Sequence, residues 1–241
     1  MSRRSGEAPV DGTWRLLVEP EGATGAENMA IDQALLDEAA TEGTSTLRLY
    51  RFNPPCLSLG RNQRDLHVVD IDVVRRPTGG GAVWHEHEVT YAVAAPLEPY
   101  RSLRAAYRAI HELIAAALRT LGVEPTLAPD RRLIRPPAVC FSSPSGGEIL
   151  AAGRKLVGSA QVRQRGAFLQ HGSILLDGSQ ETAARVVGEE GNGTGEGYET
   201  TLQAELGRVV TFEEVASAVI DVFVDPPIAL RSGAARPVSQ C

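Results

Sequence analysis

EILAAGRKLVGSAQVRQRGAFLQHGSILL, residues Glu148 to Leu176, reads as three consecutive β-strands. Glu148–Ala152, Leu156–Arg163 and Ala167–Leu176 are apolar-rich and joined by glycine turns. Strands joined this closely pair antiparallel. An earlier cluster of strands precedes them: Trp14–Glu19, Thr46–Phe52 and Leu57–Leu59, then Ala82–His85 and Val89–Ala95 as the two arms of a hairpin. Three helical patterns lie around these clusters. Ala26–Ala40 places Ile31, Ala34, Leu35 and Ala39 on one face. Leu103–Leu121 repeats Leu103, Tyr107, Ile110, Ile114, Ala117 and Leu121 at helical spacing. Thr211–Phe223 opens with capping-box spacing, Thr211 to Glu214. The pattern predicts an α+β fold with mainly antiparallel sheets and packed helices. It lacks the βαβ rhythm of a doubly wound sheet and has no internal repeat.

Residues 13–224 are expected to form one domain, with 1–12 a flexible tail, 225–241 a disordered tail and Gly188–Gly197 a mobile loop. A net charge of −6 argues against a broad nucleic-acid footprint, although Arg75-Arg76 or Arg131-Arg132 could build a local basic pocket. Met1–Gly12 has no apolar run of a signal peptide, and no stretch approaches the ~20 apolar residues of a membrane span. Three cysteines, Cys56, Cys140 and Cys241, give neither a disulfide framework nor a zinc pattern, which fits a reducing cytoplasm.

Lys155 is the only lysine; the other 23 of the 24 basic residues are arginines. A lysine is a compact point charge with a removable proton, which a guanidinium is not. Small residues Gly158, Ser159 and Ala160, and Gly172 and Ser173 on the next strand, leave room beside it, although strands that cross closely also use small residues. Cys140 lies in a polar loop, AVCFSSPS, exposed enough to react, although a lone cysteine is more often buried and inert. A neighbouring cation favours the thiolate of a thiol whose ordinary pKa is ~8.5. Lys155 follows fifteen residues later, so the two meet only if the loop folds back over the strand. Cys56, between Pro55 and Leu57, reads as buried and inert.

Arg75-Arg76-Pro77-Thr78-Gly79-Gly80-Gly81 follows a short strand and could bring backbone close to an anion, a carbonyl or an alkyl chain. It lacks the lysine and spacing of a Walker loop. His85 and His87 would share one face of a strand, but no third ligand is placed, so no metal site is expected. His85 is assigned a hydrogen-bonding role beside the loop, and His111 a helix surface.

In order along the chain, ENMAIDQALL (27–36), LSLGRNQ (57–63), RRPTGGGAVWH (75–85), GRKLVGSAQ (153–161) and LQHGSIL (169–175) resemble the lipoate–protein ligase and octanoyltransferase family, which is related to biotin–protein ligases. The ordered set is far more specific than any one glycine loop, and spans residues 14 to 223. The resemblance implies an acyl chain held beneath the glycine loop, Lys155 as the family lysine at the acyl carbonyl, and no cofactor. It implies substrate binding by Arg75, Thr78, Gly79, Gly80, Gly81, His85, Gly158, Ser159, Ala160, His171 and Gly172. Cys140 is similar to the nucleophile of the cysteine-dependent octanoyltransferase branch. That branch moves octanoyl from acyl carrier protein to a lysine of a lipoyl-type acceptor, such as glycine cleavage H protein or a dehydrogenase acyltransferase-subunit lipoyl domain. Three alternatives stay open: an ATP-dependent ligase with Arg75, Arg76 and the glycine loop at the adenylate phosphate, an octanoyl amidotransferase, and an inactive acyl- or carrier-binding module. The segment Arg64–Ile71 is shorter than the family pattern, which is expected to open the pocket wall or to weaken folding, and Glu86 stands where an aspartate is expected.

Overall fold

Glycine turns and apolar alternation put the Glu148–Leu176 stretch into three neighbouring antiparallel strands, as read. A computed structural model describes residues 8–10, 14–66, 68–129, 138–143, 145–188 and 198–224. Of the expected N-terminal tail, Ala8–Val10 is described and forms a strand rather than a flexible segment; the rest of both tails and most of the Gly188–Gly197 loop lie outside the described residues. In chain order the elements are β1 (Ala8–Val10), β2 (Trp14–Ala23), α1 (Gly25–Glu42), β3 (Ser45–Phe52), β4 (Cys56–Leu59), β5 (Asp72–Arg75), β6 (Val83–His85) and β7 (Glu88–Pro96). There follow α2 (Leu103–Thr120), β8 (Pro125–Leu127), β9 (Ile149–Ala151), β10 (Arg154–Gln164), β11 (Ala167–Leu175), α3 (Glu181–Val187), α4 (Leu202–Leu206) and α5 (Phe212–Val224). One sheet has eight strands in the order β1-β2-β3-β7-β11-β10-β9-β8, and a second has three, β5-β4-β6. Among the described strands only β2–β3 and β4–β5 pair parallel, so the sheets are mainly antiparallel and the fold class is α+β.

β6 and β7 are not a hairpin. β6 pairs with β4 in the small sheet, whereas β7 lies between β3 and β11 in the large one. Glu86 and His87 carry the chain from one sheet to the other. Every residue of β7 from Glu88 to Ala95 is buried, and apolar runs of this kind do not say which strand pairs with which.

β7 also explains the layers. Val89, Tyr91, Val93 and Ala95 face the core beneath α2 and α5, with Ile110, Ile114, Val215, Val219 and Phe223. Ala92 and Ala94 face the opposite side, against Leu35, Leu36 and Ala39 of α1. Period-two alternation therefore places helices on both faces of the sheet. The Thr211–Glu214 capping box forms, each backbone N–H donating to the other side chain, at 3.0 and 3.2 Å. α1 carries a second box, Thr24 with Glu27. Its buried face differs from the expected one: Ala34 is exposed, while Asn28 and Asp32 are fully buried. Those two polar groups are held by Arg48, itself fully buried on β3. No helix among the described residues is long and apolar enough to cross a membrane.

Candidate active site

Lys155 is the second residue of β10, where the register with β9 shifts between Lys155 and Val157. A bulge of this kind re-aims a side chain. The backbone is pinned on the other edge as well, with Lys155 N–H donating to Tyr198 O and Thr200 N–H donating to Lys155 O, at 2.8 and 2.9 Å. The side chain is 1% exposed. Nζ donates to Glu148 Oε1 at 2.7 Å and to Cys140 O at 2.6 Å, and lies 3.4 Å from Cys140 Sγ.

The loop does fold back over the strand. Ala82 N–H donates to Ala138 O at 2.6 Å and Cys140 N–H donates to Ala82 O at 2.9 Å. This clamp on the segment after the glycine loop puts the helical turn Cys140–Ser142 over Lys155. Phe141 completes the contact, its ring centroid 4.9 Å from Lys155 Nζ. Burial disfavours the Lys155 ammonium, but negative charge at Cys140 and Glu148 outweighs it and holds the pKa above the ordinary lysine value.

Cys140 lines a solvent-open cavity together with His85, Gly158, Ser159, Ala160, His171 and Gly172. Met29, Tyr50 and Phe52 add an apolar wall, and Ser58 and Arg76 a polar one. The small residues do not simply leave space. A Cβ on Gly158 would sit 2.9 Å from the Phe141 ring, and one on Gly172 would sit 2.2 Å from Ser159 Oγ. These glycines let the neighbouring side chains close around the cavity.

The glycine loop acts differently from the expectation, since Thr78, Gly79, Gly80 and Gly81 are not among the residues lining the cavity. Thr78 is fully buried, and its hydroxyl is hydrogen-bonded to His171 Nε2 at 2.7 Å while His171 Nδ1 donates to Asp32 at 2.8 Å. Gly80, at φ +92°, packs its carbonyl against Gly60, where a Cβ would sit 2.0 Å from Gly80 O. Gly60→Ala is therefore expected to displace the loop and cost ~1–3 kcal/mol, the overpacking range. A melting temperature equal to wild type would contradict that close approach.

Arg75 turns away from the cavity: its guanidinium donates to Gly60 O at 2.8 Å and pairs with exposed Asp65. Arg76, the next residue, points to the opposite side and lines the cavity instead. His85 has the expected hydrogen-bonding role, with Ser58 on Nε2 at 2.7 Å, Glu88 on Nδ1, and Phe52 stacked at 4.0 Å. His87 lies beyond the end of β6 and its side chain is 57% exposed, so the two histidines do not share a strand face. His111 is fully buried rather than on a helix surface. Its Nδ1 donates to Gly147 O at 2.6 Å, leaving Nε2 to accept from Ser159 at 2.9 Å. Burial pushes its pKa down to about 4, so it is neutral at pH 7.

Asp65, Leu66, Val68, Val69 and Ile71 line a separate recess with Leu59 and Val73, and none of them lines the Cys140 cavity. The short segment therefore does not open that wall. Sequence reasoning missed Glu148 as a site residue, and named Arg76 only for a basic pocket or the phosphate of the ligase alternative. Glu148 was discoverable, because pairing of Lys155 with Leu150 brings the preceding arm beside Lys155.

Residues 24–224 match the family model described as the lipoyl protein ligase A/B catalytic domain. An octanoyltransferase LipM of Kyrpidia tusciae is 41% identical, over 88% of this chain and 86% of its own length. One of Exiguobacterium sp. is 38% identical over the same shares. A solved lipoate-protein ligase A bound with ATP superposes with a TM-score of 0.67 at 21% identity, covering 90% of this chain and 91% of its own.

Proposed function

Because the chain belongs to the lipoyl protein ligase A/B catalytic-domain family, we propose that it is an octanoyltransferase of lipoate assembly working through an acyl-cysteine. The observation that supports this reading most is Lys155 Nζ 3.4 Å from Cys140 Sγ, beside the cavity that Cys140 lines. The donor is octanoyl-acyl carrier protein, and the acceptor is a lysine on a lipoyl-type domain. The setting is the cytoplasm, residues 13–224 form the catalytic unit, and no cofactor takes part.

The Cys140 thiolate attacks the donor's thioester carbonyl, forming an S–C bond and expelling the carrier thiolate. Lys155 gives that thiolate a proton, so the first half leaves acyl-Cys140, neutral Lys155 and the carrier thiol. The negative charge at Cys140 that favours the Lys155 ammonium is then gone, while burial remains. The acceptor amine attacks the acyl carbonyl, the C–S bond breaks, and the amine proton passes to Lys155. Amide and starting enzyme result, with every proton accounted for. Thioester exchange is close to isoenergetic and amide formation drives the sequence, so no ATP is needed. The cavity, with its apolar wall of Met29, Tyr50 and Phe52, takes the alkyl chain.

Intact-mass measurement of the protein mixed with octanoyl-carrier protein, without ATP, tests the reading. A single octanoyl adduct is expected, discharged by a lipoyl-type acceptor. Acceptor modification only with free acid plus ATP would make the chain a ligase, and neither signal would leave a binding module. Lys155→Arg keeps the charge but removes the transferable proton. It is expected to fold and to lower transfer by ~10²-fold or more, the scale of acid–base catalysis. Near-normal turnover would refute the proton-transfer role.

A further inference from the structure

Arg76 is a buried cation with no anionic partner among the described residues. It is 5% exposed. Nη1 donates to Ser58 O and Oγ at 3.0 and 3.1 Å, Nε and Nη2 to Gly79 O at 3.2 and 2.8 Å, and Nη2 to Gly81 O at 2.6 Å. All of these acceptors are neutral. Arg48, the other buried arginine among the described residues, is by contrast paired with both Asp32 and Glu19. Holding a guanidinium in the interior without a counter-ion costs several kcal/mol, so such a charge is kept where an anion forms.

The architecture says which anion. Arg76 and Cys140 line the same cavity. They are also fastened to adjacent backbone: Arg76 holds Gly81 O, and Cys140 N–H donates to Ala82 O. The glycine loop curls around the guanidinium, so close that a Cβ on Gly80 would sit 3.0 Å from Nη2. Behind it runs a hydrogen-bonded chain: Glu88 accepts from His85 Nδ1, His85 Nε2 lies 2.7 Å from Ser58 Oγ, and Ser58 Oγ accepts from Arg76 Nη1. Glu88 is 2% exposed and its second oxygen, Oε2, has no hydrogen-bond partner. A buried polar chain of this kind positions the group at its end.

We propose that Arg76 is the permanent counter-charge for the Cys140 thiolate, oriented by the Ser58–His85–Glu88 chain and separate in role from Lys155. The proposal rests on the cysteine-dependent reading above and deepens it. The two cations divide the work by chemistry: Lys155 carries charge that can leave as a proton, whereas Arg76 carries charge that stays. When acylation strips the thiolate of its charge and Lys155 of its proton, the positive charge left by Arg76 keeps Cys140 a good leaving group for the second half. Arg76 is in this sense a positioning residue of the resting thiol and of its departure.

The test is the pH profile of alkylation of Cys140 by iodoacetamide, read on its own peptide by mass spectrometry, with no acyl substrate present. Success or failure therefore does not depend on the donor or acceptor assigned above. Arg76→Gln is expected to move the midpoint of the profile up by about one pH unit, the scale of a lost neighbouring charge. That is a ~10-fold slower reaction below both midpoints. A folded Arg76→Gln protein whose midpoint stays within about 0.3 unit of wild type would overturn the proposal. If Arg76→Gln does not fold, Lys155→Met combined with Glu148→Gln decides. Among the described residues Arg76 is then the cation left at the Cys140 cavity, and the midpoint should stay within about one pH unit of wild type; a larger rise overturns it.

Discussion

Replacing Cys140 with serine is expected to abolish the octanoyl adduct and to lower ATP-free transfer by at least ~10⁴-fold, the scale seen when a nucleophile is removed. The exchange is small in volume, and the backbone contacts that fix the turn, Cys140 N–H to Ala82 O and Ala138 O to Ala82 N–H, do not involve the side chain. The fold should therefore persist. What is lost is the anion. A thiol ionises within reach of neutral pH, whereas an aliphatic hydroxyl does not, and a protonated lysine 3.4 Å away cannot act as its base. Lys155 would still donate to the backbone carbonyl of residue 140 and to Glu148, so its placement changes little. Single-turnover transfer from octanoyl-carrier protein, with intact mass recorded at each time, measures both quantities. If the serine variant transfers octanoyl at near wild-type rate, the acceptor amine attacks the carrier thioester directly. The acyl-enzyme would then be dispensable.

The pairing of Cys140 with Lys155 marks where the sequence stopped being informative. Each residue stood out alone, and the strand carrying Lys155 was legible because β10 and β11 alternate cleanly between glycine turns. Their approach depends instead on the Ala82–Val139 bridge, a contact between segments more than fifty residues apart with no local signature. The same limit separated Arg75 from Arg76. β5 ends at Arg75 after four half-buried residues, with no alternation to extrapolate to Arg76. Asp32 on the buried face of α1, and Ala34 on the exposed one, reversed the reading from hydrophobicity because Arg48 from β3 sits there. α3 and α4 have only seven and five residues, too few for a helical period to emerge.

Asp32 carries the largest expected effect on stability. It is fully buried, and it accepts from Arg48 Nη1 at 2.9 Å, Tyr50 Oη at 2.9 Å and His171 Nδ1 at 2.8 Å. Arg48 keeps Glu19 and Asn28, but Glu19 is 30% exposed and shares its charge with solvent. Asp32→Ala therefore strands one buried cation and two donors at once, at a cost of about 3–5 kcal/mol. In a chain of this size that lowers Tm by roughly 6–20 °C. The pH dependence follows from the direction of the shift. Burial works against the Asp32 carboxylate, yet His171, Arg48 and Tyr50 outweigh it and hold its pKa below the ordinary value. A depressed folded-state pKa gives stability that is fully present above the unfolded value of ~3.9, and lost as pH falls through the folded one. The gap in Tm between wild type and Asp32→Ala should accordingly be widest near neutral pH and shrink below about pH 4. Melts by circular dichroism at pH 7 and pH 3 decide it. A gap of the same size at both values would mean that the loss is one of packing rather than of charge. The effect should also reach the site, because Asp32 fixes His171, and His171 in turn holds Thr78 at the base of the glycine loop that encloses Arg76.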